Sequence, residues 1–553
     1  MTLLAALPLL MPFVMLLLLK QNGLRSSLVS SLVALATATA FMPQWTDIGT
    51  LGLRASGQAI AIGIGVLTVL FPGLLLYRLQ DSSGSMQVLT ALIRRHFPQE
   101  GIQLLALLMG VSPFVEAISG FGVSVLVVAP LLLALGYSAL QAGTLALLSQ
   151  ISVPLGALGV GTMVGAQLAG EDTNLIGASS LLLSAPLPII CALLMLRVAA
   201  KSQHAKTVSR PFMAFWPVAI LAGLTKAVAD YTLTLWFGVE VAGALASLLT
   251  LAVIMLAGRK SVTRAAPAAS TPHATRASHH PEDAQQTSSA STSACVKAGT
   301  QQYPCTQIRE NTAGFSAETT TTSSKSGART RDTGRNLAAL GPYIFLIAAL
   351  LLTRGISPLQ HTLQNTLTFE PFGAGFRYAP FYLPGFWVLL AALSVLIFNR
   401  MTLASLIRTT RTSWKQFWPA GLTILFFLLL AQIMTLSGMA GTLAQAGSRF
   451  GEGYAFIAPV LATLGGWLTG STTGGNAMFI PLQVAAAQQT GLSVTHVVAM
   501  QNAIASYATM GSPARATLVA ATLADKHIEQ PLVAVMIRYV LVATVVIACV
   551  YAF

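Results

Sequence analysis

Apolar runs long enough to cross a bilayer recur from one end of this chain to the other, and nothing else in the sequence restricts the fold so severely. A hydrocarbon core of about 30 Å takes about 20 residues of helix to span. No water reaches the backbone there, so every peptide group must be satisfied inside a helix or a closed barrel. Candidate spans are 2–19, 27–43, 56–76, 100–113, 174–197, 213–230 and 234–257, then 337–353, 381–398, 416–437, 453–468 and 531–552. Of the 553 residues 54% are hydrophobic and only 9% charged, against about 25% charged in a soluble domain. The expected class is an all-α polytopic membrane protein of about 12 spans. The opening MTLLAALPLLMPFVMLLLLK has no basic residue ahead of its apolar run and no A-x-A-like cleavage pattern, so it is expected to be the first span.

The net charge of +14 does not point to nucleic acid, because the basic residues lie between spans, where they set topology. Lys20 and Arg25, Arg94 and Arg95, Arg197 to Arg210, and Arg400 to Lys415 fall on one side. The alternate loops carry Asp47, Glu171, Asp172, Asp230, Glu240 and Glu370. The basic side is expected to be cytoplasmic and both termini extracytoplasmic. Residues 85–97 and 400–415 read as interfacial amphipathic helices. The four cysteines, Cys191, Cys295, Cys305 and Cys549, and the scattered histidines show no metal-ligand spacing, so no metal or cofactor is expected. Residues 258–335 are rich in Ser, Thr and Ala and lack apolar periodicity. They are expected to form a disordered cytoplasmic linker between a first membrane half, 1–257, and a second, 336–553.

Two broken apolar regions, 114–170 and 468–524, resemble each other. Gly136-Tyr137-Ser138 precedes Gly156 by the same interval that separates Gly491-Leu492-Ser493 from Gly511. On that offset of 355, GTMVGAQLA (161–169) matches ATLVAATLA (516–524) at five of nine positions. Loop charges send span 100–113 outward and span 453–468 inward, so the two copies are expected to form an inverted repeat, a common build for secondary transporters.

Within those regions FVEAISGFGVSVLVVAP (114–130) and TGSTTGGNAMFIP (469–481) carry small residues, hydroxyls and a closing proline that weaken a spanning helix. Non-helical backbone at membrane depth is tolerated only where it is buried in protein or lines a cavity. Two re-entrant hairpins with facing tips are therefore expected, presenting helix N-termini with their partial positive charge to a small anion. Ser119, Gly120, Phe121 and Gly122 from one tip and Ser471, Thr472, Thr473 and Asn476 from the other are the candidate binding residues. The blander reading makes such glycines close-packing seams between helices.

Ionisable residues inside the membrane are costly, which makes each a functional candidate. Glu116, four residues before Gly120, is the candidate proton carrier, or else a carboxylate capping backbone N–H groups. Arg515, after Gly511-Ser512-Pro513, offers a forked cation to a substrate carboxylate, or else a partner to Glu116. Ser512 joins the candidate set beside it. Lys226 and Asp230 are expected to pair on a helix face near the outer surface. Arg538 is expected to be structural, and His496 packed rather than a relay. No nucleophile–base pair or metal cluster supports an intramembrane enzyme.

The ordered set of motifs resembles the lactate permease family. It comprises Glu116-Ala117-Ile118-Ser119-Gly120-Phe121-Gly122, Gly156-Ala157-Leu158-Gly159, Thr469-Gly470-Ser471-Thr472-Thr473-Gly474-Gly475-Asn476-Ala477 and Pro481-Leu482-Gln483. The resemblance implies a symporter of the bacterial inner membrane that imports lactate, often glycolate too, driven by protons, with an elevator-like movement of paired hairpins. Sodium coupling, or another organic anion, is the alternative. This chain departs from the family pattern with Val123-Ser124 after the first motif, with Ser149 to Pro154 before the second, and with Ser512-Pro513-Ala514-Arg515, which puts a cation where the family has an amide. The expected partners are a small organic anion, a proton and the lipid bilayer; a homo-oligomer stays open.

Overall fold

The computed structural model describes residues 1–41, 45–85, 88, 99–120, 122–151, 153–202, 211–263, 325–373 and 378–552. Two compact units divide the chain. Met1–Val262 and Gly334–Phe553 form the first; Thr263–Thr333 form the second, most of which lies outside the described residues. The expected linker 258–335 is helical at its ends, and residues 264–324 of it lie outside the described residues.

Regular structure among the described residues is helical throughout. Helix α1 (Thr2–Phe13) runs into a π-helical turn and is followed by α2 (Gly23–Ala38) and α3 (Trp45–Ser82). The first broken region comprises α4 (Glu100–Ser119), α5 (Val123–Ala134), α6 (Ala139–Leu148) and α7 (Gly156–Ala169). Next come α8 (Thr173–Leu183), α9 (Leu187–Ala200), α10 (Trp216–Phe237) and α11 (Val239–Thr263). The second half holds α12 (Lys325–Gly355), α13 (Ser357–Asn365), α14 (Pro384–Phe398), α15 (Leu403–Leu436) and α16 (Met439–Ser448). Its broken region is α17 (Tyr454–Thr469), α18 (Thr472–Thr490), α19 (Val494–Ala508) and α20 (Pro513–Thr522), and α21 (Glu529–Ala552) closes the chain.

All twelve apolar runs land on helices, but length separates them. Among the described residues seven helices are long and apolar enough to cross a membrane, or up to nine if the bent pairs α6 with α7 (65°) and α8 with α9 (49°) each count as one span. The runs 2–19, 27–43, 381–398 and 453–468 correspond to shorter apolar helices, so the count by length is below the expected twelve. Residues 85–97 lie almost wholly outside the described residues. The other expected interfacial helix, 400–415, is no separate element: from Leu403 it is the first third of α15, because nothing in LASLIRTTRTSWKQFW breaks the helix before the apolar run begins.

The two broken regions pass through the same succession: a helix, a break, a second helix, a serine-capped third helix, a second break and a fourth helix. Ser138 caps α6 by accepting from the Gln141 N–H, and Ser493, 355 positions on, caps α19 by accepting from the His496 N–H. Glycine seams also occur. A side chain at Gly466 would strike the Ala505 carbonyl, and one at Gly385 the Thr68 carbonyl, so α17 meets α19 and α14 meets α3 at backbone distance. At the other end of α12, the Arg354 guanidinium stacks 3.6 Å over the Tyr382 ring and stands 3.6 Å from Glu240.

Candidate functional site

Helix α4 stops at Ser119 because Gly120 takes φ +66°, ψ −166°, and α5 begins from Gly122 in the left-handed region at φ +75°. The break this opens leaves the first N–H groups of α5 without helical partners. Glu116, one turn back on α4 and fully buried, supplies the acceptors. The Gly122 N–H donates to its Oε1 and the Ser124 hydroxyl to its Oε2, each at 2.9 Å. A carboxylate thus rests on the positive end of α5.

In the second region α17 ends at Gly470, φ +63°, and Ser471 starts α18 by accepting from the Gly474 N–H. Arg515, on the first turn of α20 and buried, donates from Nε to the Gly470 carbonyl at 3.1 Å, which places a cation on the negative end of α17. Its Nη1 lies 3.7 Å from Glu116 Oε1, within ion-pair reach and beyond a hydrogen bond. That Nη1 has no hydrogen-bond partner among the described residues. A Cβ at Gly122 would overlap the same nitrogen, so the arginine lies directly against the first break.

A third piece of strained backbone completes the site. Ala157 (φ +50°) and Leu158 (φ +56°) are left-handed ahead of Gly159, a conformation that costs a non-glycine residue about 1–2 kcal/mol. The turn carries Ala157 against Gly120, where any side chain on the glycine would collide with it. Glu116, Gly120, Gly156, Ala157, Ser471, Thr472, Thr473 and Arg515 line a cavity of about 30 Å³. That is room for ordered water between the charged and hydroxyl groups. On its other side Arg515, with Thr469, Gly470 and Ser471, borders a chamber of about 260 Å³ closed by Gln416, Thr423 and Phe427 of α15. Arg515 lines both spaces.

Of the residues picked out from the sequence, Glu116, Gly120, Ser471, Thr472, Thr473 and Arg515 meet at this cavity, and Gly122, outside its lining, is tied to it by the N–H bond to Glu116. The backbone of Ser119 packs against Gly73 of α3, and Ser119 is not among the residues lining the cavity. Ser512 caps α20 by accepting from the Ala514 N–H and packs against Gly470. Asn476 is fully buried away from the cavity; its Nδ2 donates to the Gly161 carbonyl at 3.0 Å and to Asn502 Oδ1 at 2.9 Å. Asn502 in turn donates to the hydroxyls of Thr162 and Ser180, so the network ties α18 to α7, α8 and α19. Phe121 lies outside the described residues.

Lys226 and Asp230 do pair, with Nζ 2.5 and 2.6 Å from the two carboxylate oxygens. Both are fully buried, because α10 packs that face against its neighbours. Arg538 is exposed on α21, and His496 is exposed on the first turn of α19. Ser124, Asn502 and the strained pair Ala157-Leu158 were not anticipated. Ser124 had a signal, its period-four relation to Gly120 beside a buried acid, and Ala157-Leu158 lie inside the quoted Gly156–Gly159 motif; Asn502 had none.

Comparison with known proteins adds an independent line. The family model described as L-lactate permease matches residues 1–372 and 366–553. The L-lactate permease of Salmonella typhimurium is 25% identical over 90% of this chain and 85% of its own length. The L-lactate permease of Escherichia coli is 24% identical over 99% and 94%, and the glycolate permease GlcA of the same species 25% identical over 90% and 85%. Among solved structures, the YdaH transporter of Alcanivorax borkumensis is similar with a TM-score of 0.41 and 13% identity, covering 89% of this chain and 86% of that one.

Proposed function

The chain belongs to the L-lactate permease family, which makes it a multi-pass membrane transporter rather than an enzyme, and from that premise we propose that it imports lactate or a similar small 2-hydroxycarboxylate such as glycolate by proton symport across a bacterial inner membrane. The observation that carries the proposal is the meeting of two helix breaks, at 120–122 and 470–471, around one buried acid and one buried base. In this reading the breaks are tips of re-entrant hairpins, α4 with α5 and α17 with α18, belonging to two repeats of opposite orientation. The substrate carboxylate binds Arg515 and the N–H groups and hydroxyls at the start of α18, Ser471 to Thr473. Glu116 carries the proton. Arg515 and Glu116 stand within ion-pair reach across the two breaks, so a carboxylate entering between them requires the breaks to part, and an elevator-like displacement of the broken regions would do this.

Proton coupling suits the electrostatics. Moving one charge across 100 mV is worth about 2.3 kcal/mol, and a proton accompanying a monovalent anion removes that term. The test is uptake of labelled lactate into proteoliposomes under an imposed pH gradient. Accumulation above equilibrium, abolished by a protonophore and indifferent to sodium, is expected; accumulation that follows a sodium gradient instead would sink the proton reading.

A further inference from the structure

We propose that Arg515 is shared between two carboxylates, Glu116 and that of the substrate, and that this competition is the coupling device: the anion takes the arginine only when Glu116 is protonated. The inference rests on the symport reading above and specifies how its site couples. Three observations carry it. First, the arginine is anchored independently of the acid, since its Nε holds the Gly470 carbonyl at 3.1 Å while Nη1 remains without a hydrogen-bond partner 3.7 Å from Glu116 Oε1. It can therefore turn Nη1 to a new acceptor without leaving its place. Second, Arg515 borders both the small cavity and the 260 Å³ chamber, so an anion arriving from either meets the same guanidinium.

Third, Glu116 has the means to exist in both forms. Ionised, it accepts from the Gly122 N–H at Oε1 and from the Ser124 hydroxyl at Oε2. Protonated on Oε2 from water on the loading side, it can donate to the Ser124 oxygen, because a hydroxyl both donates and accepts. The Gly122 bond survives, and the proton leaves to water on the far side. Charge arithmetic then makes loading exclusive. An arginine facing two ionised carboxylates in a buried site leaves one anion unpaired, which is strongly disfavoured. An arginine facing one anion and one neutral acid is balanced. The elements packed on the Glu116 segment of α4 are α3, α5, α7 and the 153–155 turn. Of these, only α3 has charged residues, Asp47, Arg54, Arg78 and Asp81; among the described residues the one ion-pair partner of Glu116 is Arg515. Ser124 is a positioning residue in this scheme, acting on the acid and not on the substrate.

The decisive measurement is lactate binding to the purified full chain, followed by thermal shift and by displacement of labelled lactate between about pH 6 and pH 8, where lactate stays ionised. In the parent protein the affinity should rise as pH falls, by up to tenfold per unit, the slope of one linked proton. Glu116→Gln, which copies the neutral acid, should bind lactate tightly with no pH slope, and should keep lactate–lactate exchange while losing accumulation driven by a pH gradient. Ser124→Ala removes a bond worth more to the ionised than to the neutral acid; it should carry the binding profile about one pH unit higher, and it tests the proposal even where the glutamine variant does not fold. A parent slope that survives Glu116→Gln, or a Ser124→Ala profile that does not move, overturns the sharing of Arg515 and leaves lactate transport standing. A parent protein that neither binds nor carries lactate at any pH overturns the functional reading itself.

Discussion

At the level of single residues, the glycines of the breaks do two separable jobs, and one comparison distinguishes them. Gly122 and Gly491 are both left-handed, at φ +75° and +74°, so a side chain at either costs about 1–2 kcal/mol of backbone strain. At Gly491 a Cβ would meet nothing, whereas at Gly122 it would overlap the Arg515 guanidinium. Gly122→Ala and Gly491→Ala should therefore lower the unfolding temperature, but only Gly122→Ala should also abolish uptake, because only there must the arginine move. Equal uptake in the two variants would detach Arg515 from the first break. This part of the site was legible in the sequence for a physical reason. A charge or a glycine at membrane depth is costly, so Glu116, Gly120, Gly122 and Arg515 stand out from their apolar surroundings without any structure. Ala157 and Leu158 did not, since nothing in their chemistry favours a left-handed turn. Asn476 misled for a related reason: an amide inside an apolar helix marks a polar partner, and here that partner is Asn502 and the Gly161 carbonyl rather than the cavity.

At the level of helices, apolar length located every span-like segment but not its limits. Residues 174–197 read as one run and are two helices bent by 49° at 184–186, because Pro186 and Pro188 cannot continue the hydrogen-bond ladder of α8. The four-residue spacing of Lys226 and Asp230 likewise gave their pairing and not their burial, which depends on what α10 packs against. Burial changes what the pair is worth. Removing one partner leaves an unpaired charge inside the protein, at a cost of about 3–5 kcal/mol, whereas replacing both with apolar side chains of similar size is close to neutral. Lys226→Met alone should therefore sharply lower the unfolding temperature in detergent, and Lys226→Met with Asp230→Leu should restore most of the loss. The double variant should also keep lactate uptake, since the pair lies outside the cavity lining. Uptake lost in a double variant that folds as well as the parent would move this pair from scaffold to mechanism.

For the whole molecule, the offset of 355 between the broken regions does more than suggest a duplication. The succession of helices and breaks is the same in both copies, with Ser138 and Ser493 capping equivalent helices. Two copies of one orientation would present equivalent breaks to the same side, and nothing would bring Arg515 of the second copy to Glu116 of the first at equal depth. In the proposed reading, copies of opposite orientation bring their breaks together at one depth, which suits the contact of Arg515 with Glu116. Loop charge, which fixes orientation through Lys and Arg, points to the same inversion. The proposed inversion predicts that the turns after α5 and α18 lie on opposite faces of the membrane. Single cysteines at Ala134 and Gln488, both exposed near those turns, test this in a background with the native cysteines replaced by serine. A membrane-impermeant thiol reagent applied to intact cells should label position 488 and reach position 134 only after the membrane is opened. Labelling of both from one side would make the copies parallel, and the two breaks could no longer share a substrate.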